Sequence, residues 1–240
     1  MSFFGLKRRA FIQGAAGLRC LPSQLAIALD VGHTLTAPGA TAASGETEFT
    51  YNLSLARRAR AALQAAGFSG TFLIGESGAS LALEDRTRQA RAHGAGMFLS
   101  LHHDSVQPQY LQTIVSAERV LRYSNRFHGY GLFISTSNPH AVASRFFATN
   151  LGNALRAAGM TPSLHHAENI PGESRLLLDP ALGIYRFDEL AVLRTATMPA
   201  VLLESAIIVN PTEEEEVSSG RLHARVAPAI VKAVLAVCAA

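Results

Sequence analysis

Three apolar segments of the chain run directly into carboxyl or imidazole side chains, and this pattern constrains the fold more than any other. They are residues 25–29, followed by Asp30 and then His33, residues 97–101, followed by His102-His103-Asp104, and residues 200–203, followed by Glu204. Short continuous apolar runs are typical of strands buried on both faces, as in a parallel sheet. The sequence therefore predicts three central strands, each with polar residues at its carboxyl end.

Amphipathic segments alternate with these strands. They cover residues 47–66, 84–93, 139–158 and 222–237, with shorter strands at 71–74 and 131–135. In the third segment, the helical spacing predicts a core face made of Val142, Phe146, Leu151 and Leu155. Because strands alternate with helices and nothing marks a second domain, we predict a single α/β domain with a mostly parallel sheet. Residues 160–186 give no clear prediction.

Composition excludes several classes of protein. The 240 residues are 48% hydrophobic and only 16% charged, which indicates a globular chain. Two cysteines are too few for a disulfide scaffold or a four-cysteine zinc site. A net charge of +3 suits an anionic partner but does not indicate a nucleic-acid groove. No apolar run reaches the roughly 18 residues of a membrane span, so we predict neither nucleic-acid binding nor a membrane span.

The N-terminus carries a basic pair ahead of a short apolar stretch. Arg8 and Arg9 precede residues 11–18, and Arg19 then interrupts the apolar run. Twin arginines before an apolar region are typical of a bacterial Tat export signal, here with a shortened hydrophobic part. The alternative is a basic, frayed terminus. We predict a degenerate Tat-like signal over residues 1–22 and a folded domain over residues 23–240.

The polar residues that follow the strands can form one site. Ligands of open α/β sheets bind beyond the carboxyl ends of the strands, so His33, His102 and Glu204 are expected at one edge. Glu48 begins the first long helix, whose first turn can reach the same edge. Two imidazoles and one carboxylate are a common ligand set of catalytic zinc, and a further carboxylate can act as general base. The spacing alone is a weak signal, because no compact metal motif is present.

Several strings of the sequence occur in a characteristic order. They are Ile27-Ala28-Leu29-Asp30-Val31-Gly32-His33, the helix segment 48–56, Leu83-Glu84-Asp85-Arg86, Phe98-Leu99-Ser100-Leu101-His102-His103-Asp104, Gly131-Leu132-Phe133-Ile134, Leu190-Ala191-Val192-Leu193-Arg194, and Pro199-Ala200-Val201-Leu202-Leu203-Glu204 with Asn210-Pro211. From about residue 25 to the C-terminus, the chain thereby resembles the zinc-dependent N-acetylmuramoyl-L-alanine amidases of the Amidase_3 family. It departs from the family pattern after His33, where Thr34 and Leu35 replace the usual glycines, and at Phe49, which replaces a lysine.

The resemblance implies a role for each candidate residue. His33, Glu48 and His102 would bind Zn²⁺, and Glu204 would be the catalytic carboxylate. The implied fold is a twisted, mostly parallel sheet of about six strands with helices on both faces. The implied reaction is cleavage of the amide between N-acetylmuramic acid and L-alanine of the stem peptide, in peptidoglycan. The alternatives are another zinc-dependent cell-wall peptidase, or an inactive wall-binding module of the same fold.

The same resemblance implies a periplasmic or extracellular protein. Residues 159–190 are too short for the inhibitory helix of the cell-division amidases, so we expect activity without an activator partner. The segment between His102 and Gly131 is long, which predicts a substrate-facing loop.

Neighbouring residues compete for some of these roles. Glu46 lies two positions before Glu48, and a carboxylate at either position would also favour the helix N-terminus. Because side chains alternate along a strand, only one of His102 and His103 can readily face a metal, and His103 is expected to pack or to form hydrogen bonds. Asp104 is expected beside the site rather than as a ligand. A further cluster, His165-His166 with Glu168, resembles a metal site but lies in a polar stretch, which we interpret as a loop.

Overall fold

The computed structural model describes residues 20–116 and 119–240. In this part of the chain, the strands are β1 (Ile27–Val31), β2 (Phe72–Ile74), β3 (Met97–Asp104), β4 (Gln112–Ser116), β5 (Arg119–Tyr123), β6 (Gly131–Ile134), β7 (Leu177–Asp179), β8 (Ile184–Arg186) and β9 (Ala200–Ile207). The helices are α1 (Glu48–Ala65), α2 (Leu83–Ala92), α3 (Ala141–Ala157), α4 (Ala191–Arg194), α5 (Pro211–Ser218) and α6 (Arg221–Ala239). The Tat-like motif, Arg8-Arg9, lies outside the described residues.

Seven strands form one mixed sheet in the order β2-β1-β3-β9-β6-β8-β7. The pairs β1–β2, β1–β3, β3–β9 and β6–β8 are parallel, whereas β6–β9 and β7–β8 are antiparallel. The predicted mostly parallel α/β sheet is therefore confirmed, with seven strands rather than about six. Every side chain of β1 is buried, as expected for a strand with helices on both faces.

Helices cover both faces of the sheet, as predicted. Helices α1, α3 and α6 pack on one face, whereas Ala90 of α2 and Leu193 of α4 belong to the core of the other face. Helix α1 buries Leu55, Ala59 and Leu63, which share one side at helical spacing. It ends before Gly67, whose φ of 95° is the left-handed conformation that closes helices.

The structure corrects the predicted core face of α3. Val142 is 87% exposed and Phe146 is 43% exposed, whereas Phe147 and Leu151 are buried. The core face is therefore rotated by about one residue at the start of the helix. Leu151 and Leu155 are buried, as the spacing predicted.

Two segments contain strands that the sequence did not reveal. Within residues 105–130, β4 and β5 form an antiparallel hairpin that exposes Ile114, Val115 and Val120. Within residues 160–186, β7 and β8 have only three residues each. Strands this short carry no readable alternation, which is why the pattern failed there.

The two ends of the described chain meet. Cys20 forms a disulfide with Cys238 of α6, across a sequence separation of 218 residues and with a Cα–Cα distance of 4.8 Å. The backbone N–H of Cys20 also donates to the carbonyl of Cys238 at 3.1 Å. Residues 20–22 thus contact the domain, while the boundary predicted after residue 22 remains a prediction.

Helix α6 combines high hydropathy with burial. Among the described residues, it alone is long and apolar enough to cross a membrane by length and composition, and 56% of its apolar window is buried. Its buried side packs with α1 and α3. Burial in the interior accounts for the apolar character of this helix.

Candidate metal centre and active site

The residues predicted from the strand ends lie together at one edge of the sheet. His102 lies in β3 and Glu204 in β9, and the two residues are paired directly across the parallel ladder. His33 follows β1, the other neighbour of β3. Glu48 is the first residue of α1. The four side chains therefore come from four separate elements that meet where the central parallel strands end, as expected for an open α/β sheet.

His33, Glu48 and His102 form a compact cluster of ligand atoms. The Nε2 atom of His33 lies 3.0 Å from Oε2 of Glu48, and Nδ1 of His102 lies 3.0 Å from Oε1 of the same carboxylate. One ligand atom from each residue lies within 4.8 Å of the others. Ligand atoms about 2.0–2.1 Å from a tetrahedral ion are roughly 3.3 Å apart, so this spacing suits a metal ion. Glu46, the competing carboxylate, is exposed and lies outside the cluster.

Two glycines leave the space that the cluster needs. A Cβ atom on Gly32 would overlap with the imidazole of His102. A Cβ atom on Gly39 would overlap with Oε2 of Glu48 and lie 2.6 Å from Cδ2 of His33. The close approach of this backbone to the ligands therefore requires residues without a side chain.

His33 is held in an uncommon backbone conformation. Its φ is 70°, in the left-handed region that a residue with a Cβ atom rarely adopts. Nη2 of Arg86 donates to the carbonyl oxygen of His33 at 2.7 Å, and Nη1 donates to Asp30 Oδ1 at 2.7 Å and to the carbonyl of Val31 at 2.6 Å. Arg86 thus binds the turn that presents His33. No sequence motif indicates this role of Arg86, and its charged side chain on the inward side of α2 is the available signal.

Glu48 is fixed from several directions. The backbone N–H of Ala40 donates to Oε2 at 2.9 Å, and Nδ2 of Asn52 donates to Oε1 at 3.1 Å. Burial would raise the pKa of Glu48, but hydrogen bonds and charge from His102 and His33 hold it well below its usual range. The position at the start of α1 also favours a negative charge. These contacts favour the ionised form of Glu48, which is the form that binds a metal ion.

A chain of hydrogen bonds extends from Glu48 to α6. Asn52 Oδ1 lies 2.8 Å from Nδ1 of His103, and Nε2 of His103 lies 3.1 Å from Nε2 of His223. Since an amide oxygen only accepts, His103 donates from Nδ1, and its Nε2 accepts the proton of His223. Burial and the charge of His223 hold the pKa of His103 well below its usual value. His103 is thus packed and hydrogen-bonded, as predicted, and it orients Asn52 rather than facing the cluster.

Glu204 has a different environment from Glu48. Its Oε2 atom is buried and has no hydrogen-bond partner among the described residues. Burial raises the pKa of Glu204 well above its usual value, and the charges of Asp104 and Glu48 raise it further. A buried carboxyl group without a partner is costly for stability, which is a common property of catalytic acids and bases.

A second cluster joins β3 to the segment before β7. Nε2 of His166 lies 2.8 Å from Oδ2 of Asp104, and Nε2 of His165 lies 3.3 Å from the same oxygen. Both imidazoles are buried in a 3-10 helix, His165–Ala167, so their interpretation as a polar loop is wrong. Although burial disfavours the charged imidazole, Asp104 and Glu173 raise the pKa of His166 to about 9. Glu168 lies outside this group, and Glu173 takes its place through a 2.8 Å contact between Oε2 and Nδ1 of His166.

Comparison with known proteins agrees with this architecture. The family model Amidase_3, described as N-acetylmuramoyl-L-alanine amidase, matches residues 27–236. The chain is 29% identical over 220 residues to N-acetylmuramoyl-L-alanine amidase AmiC of Neisseria meningitidis, and the match covers 87% of this chain and 51% of AmiC. It is 25% identical over 221 residues to AmiA of Escherichia coli, covering 87% of this chain and 74% of AmiA. The chain thus spans about half the length of AmiC.

Solved structures share the fold. The catalytic domain of CwlV, an N-acetylmuramoyl-L-alanine amidase from Bacillus (Paenibacillus) polymyxa var. colistinus, superposes with a TM-score of 0.64 and 24% identity, covering 89% of this chain and 97% of that domain. Ami1 from Mycobacterium smegmatis superposes with a TM-score of 0.66 and 20% identity, covering 91% of this chain and 98% of Ami1. CwlD from Clostridioides difficile, solved in complex with the GerS lipoprotein, superposes with a TM-score of 0.65 and 18% identity. The match covers 90% of this chain and 99% of CwlD.

Proposed function

Because the chain belongs to the N-acetylmuramoyl-L-alanine amidase family, we propose that it hydrolyses the amide between N-acetylmuramic acid and L-alanine of the stem peptide in peptidoglycan. One observation carries this proposal. The cluster of His33, Glu48 and His102 lies at the same sheet edge as Glu204, whose buried carboxyl oxygen has no hydrogen-bond partner among the described residues. Such a pairing of a metal-ligand set with a free carboxyl group suits metal-assisted hydrolysis of an amide.

His33, Glu48 and His102 would hold a zinc ion. The donor set of two imidazole nitrogens and one carboxylate is common in catalytic zinc sites, and it leaves a coordination position open. The glycines at positions 32 and 39 leave room for this cluster. When bound, zinc would polarise the scissile carbonyl and lower the pKa of a water molecule to about 7.

Glu204 would act as the general base and then as the general acid. Its carboxylate accepts a proton from the attacking water while the oxygen of that water bonds to the carbonyl carbon. The same proton then passes to the nitrogen of L-alanine as the carbon–nitrogen bond breaks, so the carboxylate is regenerated. Burial raises the pKa of Glu204, which makes its carboxylate a stronger base than a carboxylate of ordinary acidity.

We also propose that the protein works outside the cytoplasm and without an activator. The disulfide between Cys20 and Cys238 supports export, because disulfides persist in oxidising compartments. The net charge of +3 suits an anionic wall polymer. The degenerate Tat-like signal over residues 1–22 is proposed as the export route. Fusion of residues 1–24 to a reporter that functions only after Tat transport tests this route.

The activity is tested by mass analysis of the products from purified muropeptides. Release of the intact stem peptide from the sugar is expected of the purified chain alone. Glu204→Gln should lower turnover by about 10²–10⁴-fold, the usual contribution of a general base, with the bound zinc unchanged. Glu46→Gln, which changes an exposed carboxylate next to the site, is the matched control and should retain the parental rate.

Other products would identify a different activity. Cleavage within the stem peptide would indicate a cell-wall peptidase, and wall binding without turnover would indicate an inactive module. A Glu204→Gln enzyme with a near-normal rate would refute the assignment of the base. Activity that persists after complete zinc removal by chelation would refute the proposed role of His33, Glu48 and His102.

A further inference from the structure

The second cluster has the composition of a metal site. Asp104 ends β3, and His165 and His166 lie in the 3-10 helix before β7. One ligand atom from each residue lies within 4.8 Å of the others. All three side chains are largely buried, His165 most of all, with 1% of its side chain exposed. Two imidazoles and one carboxylate repeat the donor set of His33, Glu48 and His102 at a different place in the fold.

Both imidazoles direct Nε2 towards Oδ2 of Asp104, and other partners hold their Nδ1 atoms. Nδ1 of His165 lies 2.8 Å from Oγ of Ser163, and Nδ1 of His166 lies 2.8 Å from Oε2 of Glu173. The other carboxylate oxygen of Glu173 accepts from Nε2 of Gln107 at 2.8 Å, which fixes its position. Metal-binding histidines are held in this way, with the second ring nitrogen hydrogen-bonded to an oxygen acceptor.

An unpaired nitrogen points into the cluster. Nε2 of His165 lies 3.3 Å from Oδ2 of Asp104, but it is buried and makes no hydrogen bond in the described part of the chain. A buried nitrogen without a partner destabilises the fold unless something else binds it. Two carboxylates, Asp104 and Glu173, contact the ring nitrogens of His166, and a metal ion bound at Nε2 would take the place of the proton that His166 shares with Asp104.

We propose that Asp104, His165 and His166 bind a second divalent metal ion, with Glu173 and Ser163 orienting the imidazoles. Two nitrogens and one oxygen at this spacing suit zinc, and ligand atoms 2.8–3.3 Å apart need to separate only slightly around it. The ion would link the segment between α3 and β7 to the end of β3 through its protein ligands. It would thereby stabilise the end of β3, two positions beyond the pairing of His102 with Glu204. This inference is independent of the amidase activity, because it concerns different ligands.

Metal stoichiometry tests the proposal. The full chain is stripped with a chelator, titrated with Zn²⁺ and analysed for bound metal after dialysis. The wild type should hold two ions per chain, whereas His166→Gln and His33→Gln should each hold one. The double variant should hold none. His93→Gln, which changes an exposed histidine on the far end of α2, is the control and should hold two.

A milder variant separates binding from folding. Glu173→Gln removes the negative charge and one of the two acceptor oxygens that serve His166 and Gln107, so it should weaken binding of the second ion by about 10–100-fold and leave the first ion unchanged. Thermal unfolding of the wild type should show a second rise in Tm as the second ion binds, and this rise should be absent in His166→Gln.

The stoichiometries also distinguish the two proposals. A wild type that binds one ion, lost in His33→Gln, would overturn the second site while leaving the first in place. One ion that is lost in His166→Gln but kept in His33→Gln would instead contradict the proposed zinc centre. Equal zinc binding by the wild type and Glu173→Gln, at every concentration, would overturn the orienting role of Glu173.

Discussion

Replacement of Arg86 by methionine tests how the turn carrying His33 is held. Arg86 is 2% exposed, and its guanidinium binds Asp30, which is 1% exposed, together with the carbonyl oxygens of Val31 and His33. Methionine fills much of the same volume but donates no hydrogen bond. The substitution would leave the Asp30 carboxylate buried with the hydroxyl of Ser100 as a remaining donor, at 2.7 Å.

The expected loss of unfolding free energy follows from the cost of an unpaired buried charge. Breaking a buried ion pair by removing one partner costs about 3–5 kcal/mol. For a domain of this size, 1 kcal/mol corresponds to roughly 2–4 °C in Tm, so Arg86→Met should lower Tm by roughly 6–20 °C. Zinc affinity should fall as well, because the left-handed backbone at His33 loses the donor to its carbonyl.

Urea unfolding of the metal-free protein measures the stability, and zinc titration measures the affinity. Arg88→Met, on the same helix but with a largely exposed side chain, is the matched control and should change stability by less than about 0.5 kcal/mol. In an Asp30→Asn background, Arg86→Met should cost less, because no buried charge remains. A loss below about 1 kcal/mol for Arg86→Met alone would refute this account of the turn.

Three further changes test other parts of the structure. Cys20→Ser should lower the unfolding free energy by about 2–4 kcal/mol in urea titrations, and equal stability with and without reductant in the wild type would argue against the bond to Cys238. Burial lowers the pKa of His223 to about 4. Between about pH 4 and pH 6.5, His223 is therefore protonated in the unfolded chain but not in the folded chain. The unfolding free energy should therefore fall from about pH 6.5 towards pH 4, by up to about 3 kcal/mol, and His223→Gln should flatten this dependence; an unchanged slope would contradict it. Gly39→Ala should abolish zinc binding at the first site, whereas Gly94→Ala, which also has a positive φ but open space around it, should retain zinc.

Local sequence was sufficient to predict the elements that carry the first site. The runs that became β1, β3 and β9 are long enough to indicate buried strands, and each leads into polar side chains. Because parallel strands present their carboxyl ends at one edge, the approximate meeting of His33, His102 and Glu204 followed from strand order. The choice of Glu48 over Glu46 required the family resemblance, and in the structure Glu48 lies in the cluster with His33 and His102.

The remaining predictions depended on signals that the sequence does not carry. Helical spacing predicts a core face of α3 at Val142 and Phe146, which are exposed, because spacing alone does not tell which of two adjacent apolar stripes meets the sheet. Strands β7 and β8 are too short to show alternation. The roles of Arg86 and His103 depend on partners that lie about 50 residues or more away, at Asp30, His33 and Asn52.

The sequence by itself determined the α/β class, the strands of the central sheet and the residue types available at their ends, because these follow from short-range periodicity and polarity. Only the tertiary structure decided that Asp104 meets His165 and His166, about 60 residues further along the chain, and that Cys20 meets Cys238. Such meetings depend on how the elements pack in three dimensions. Packing is set by the whole core at once, so no local pattern could have revealed them.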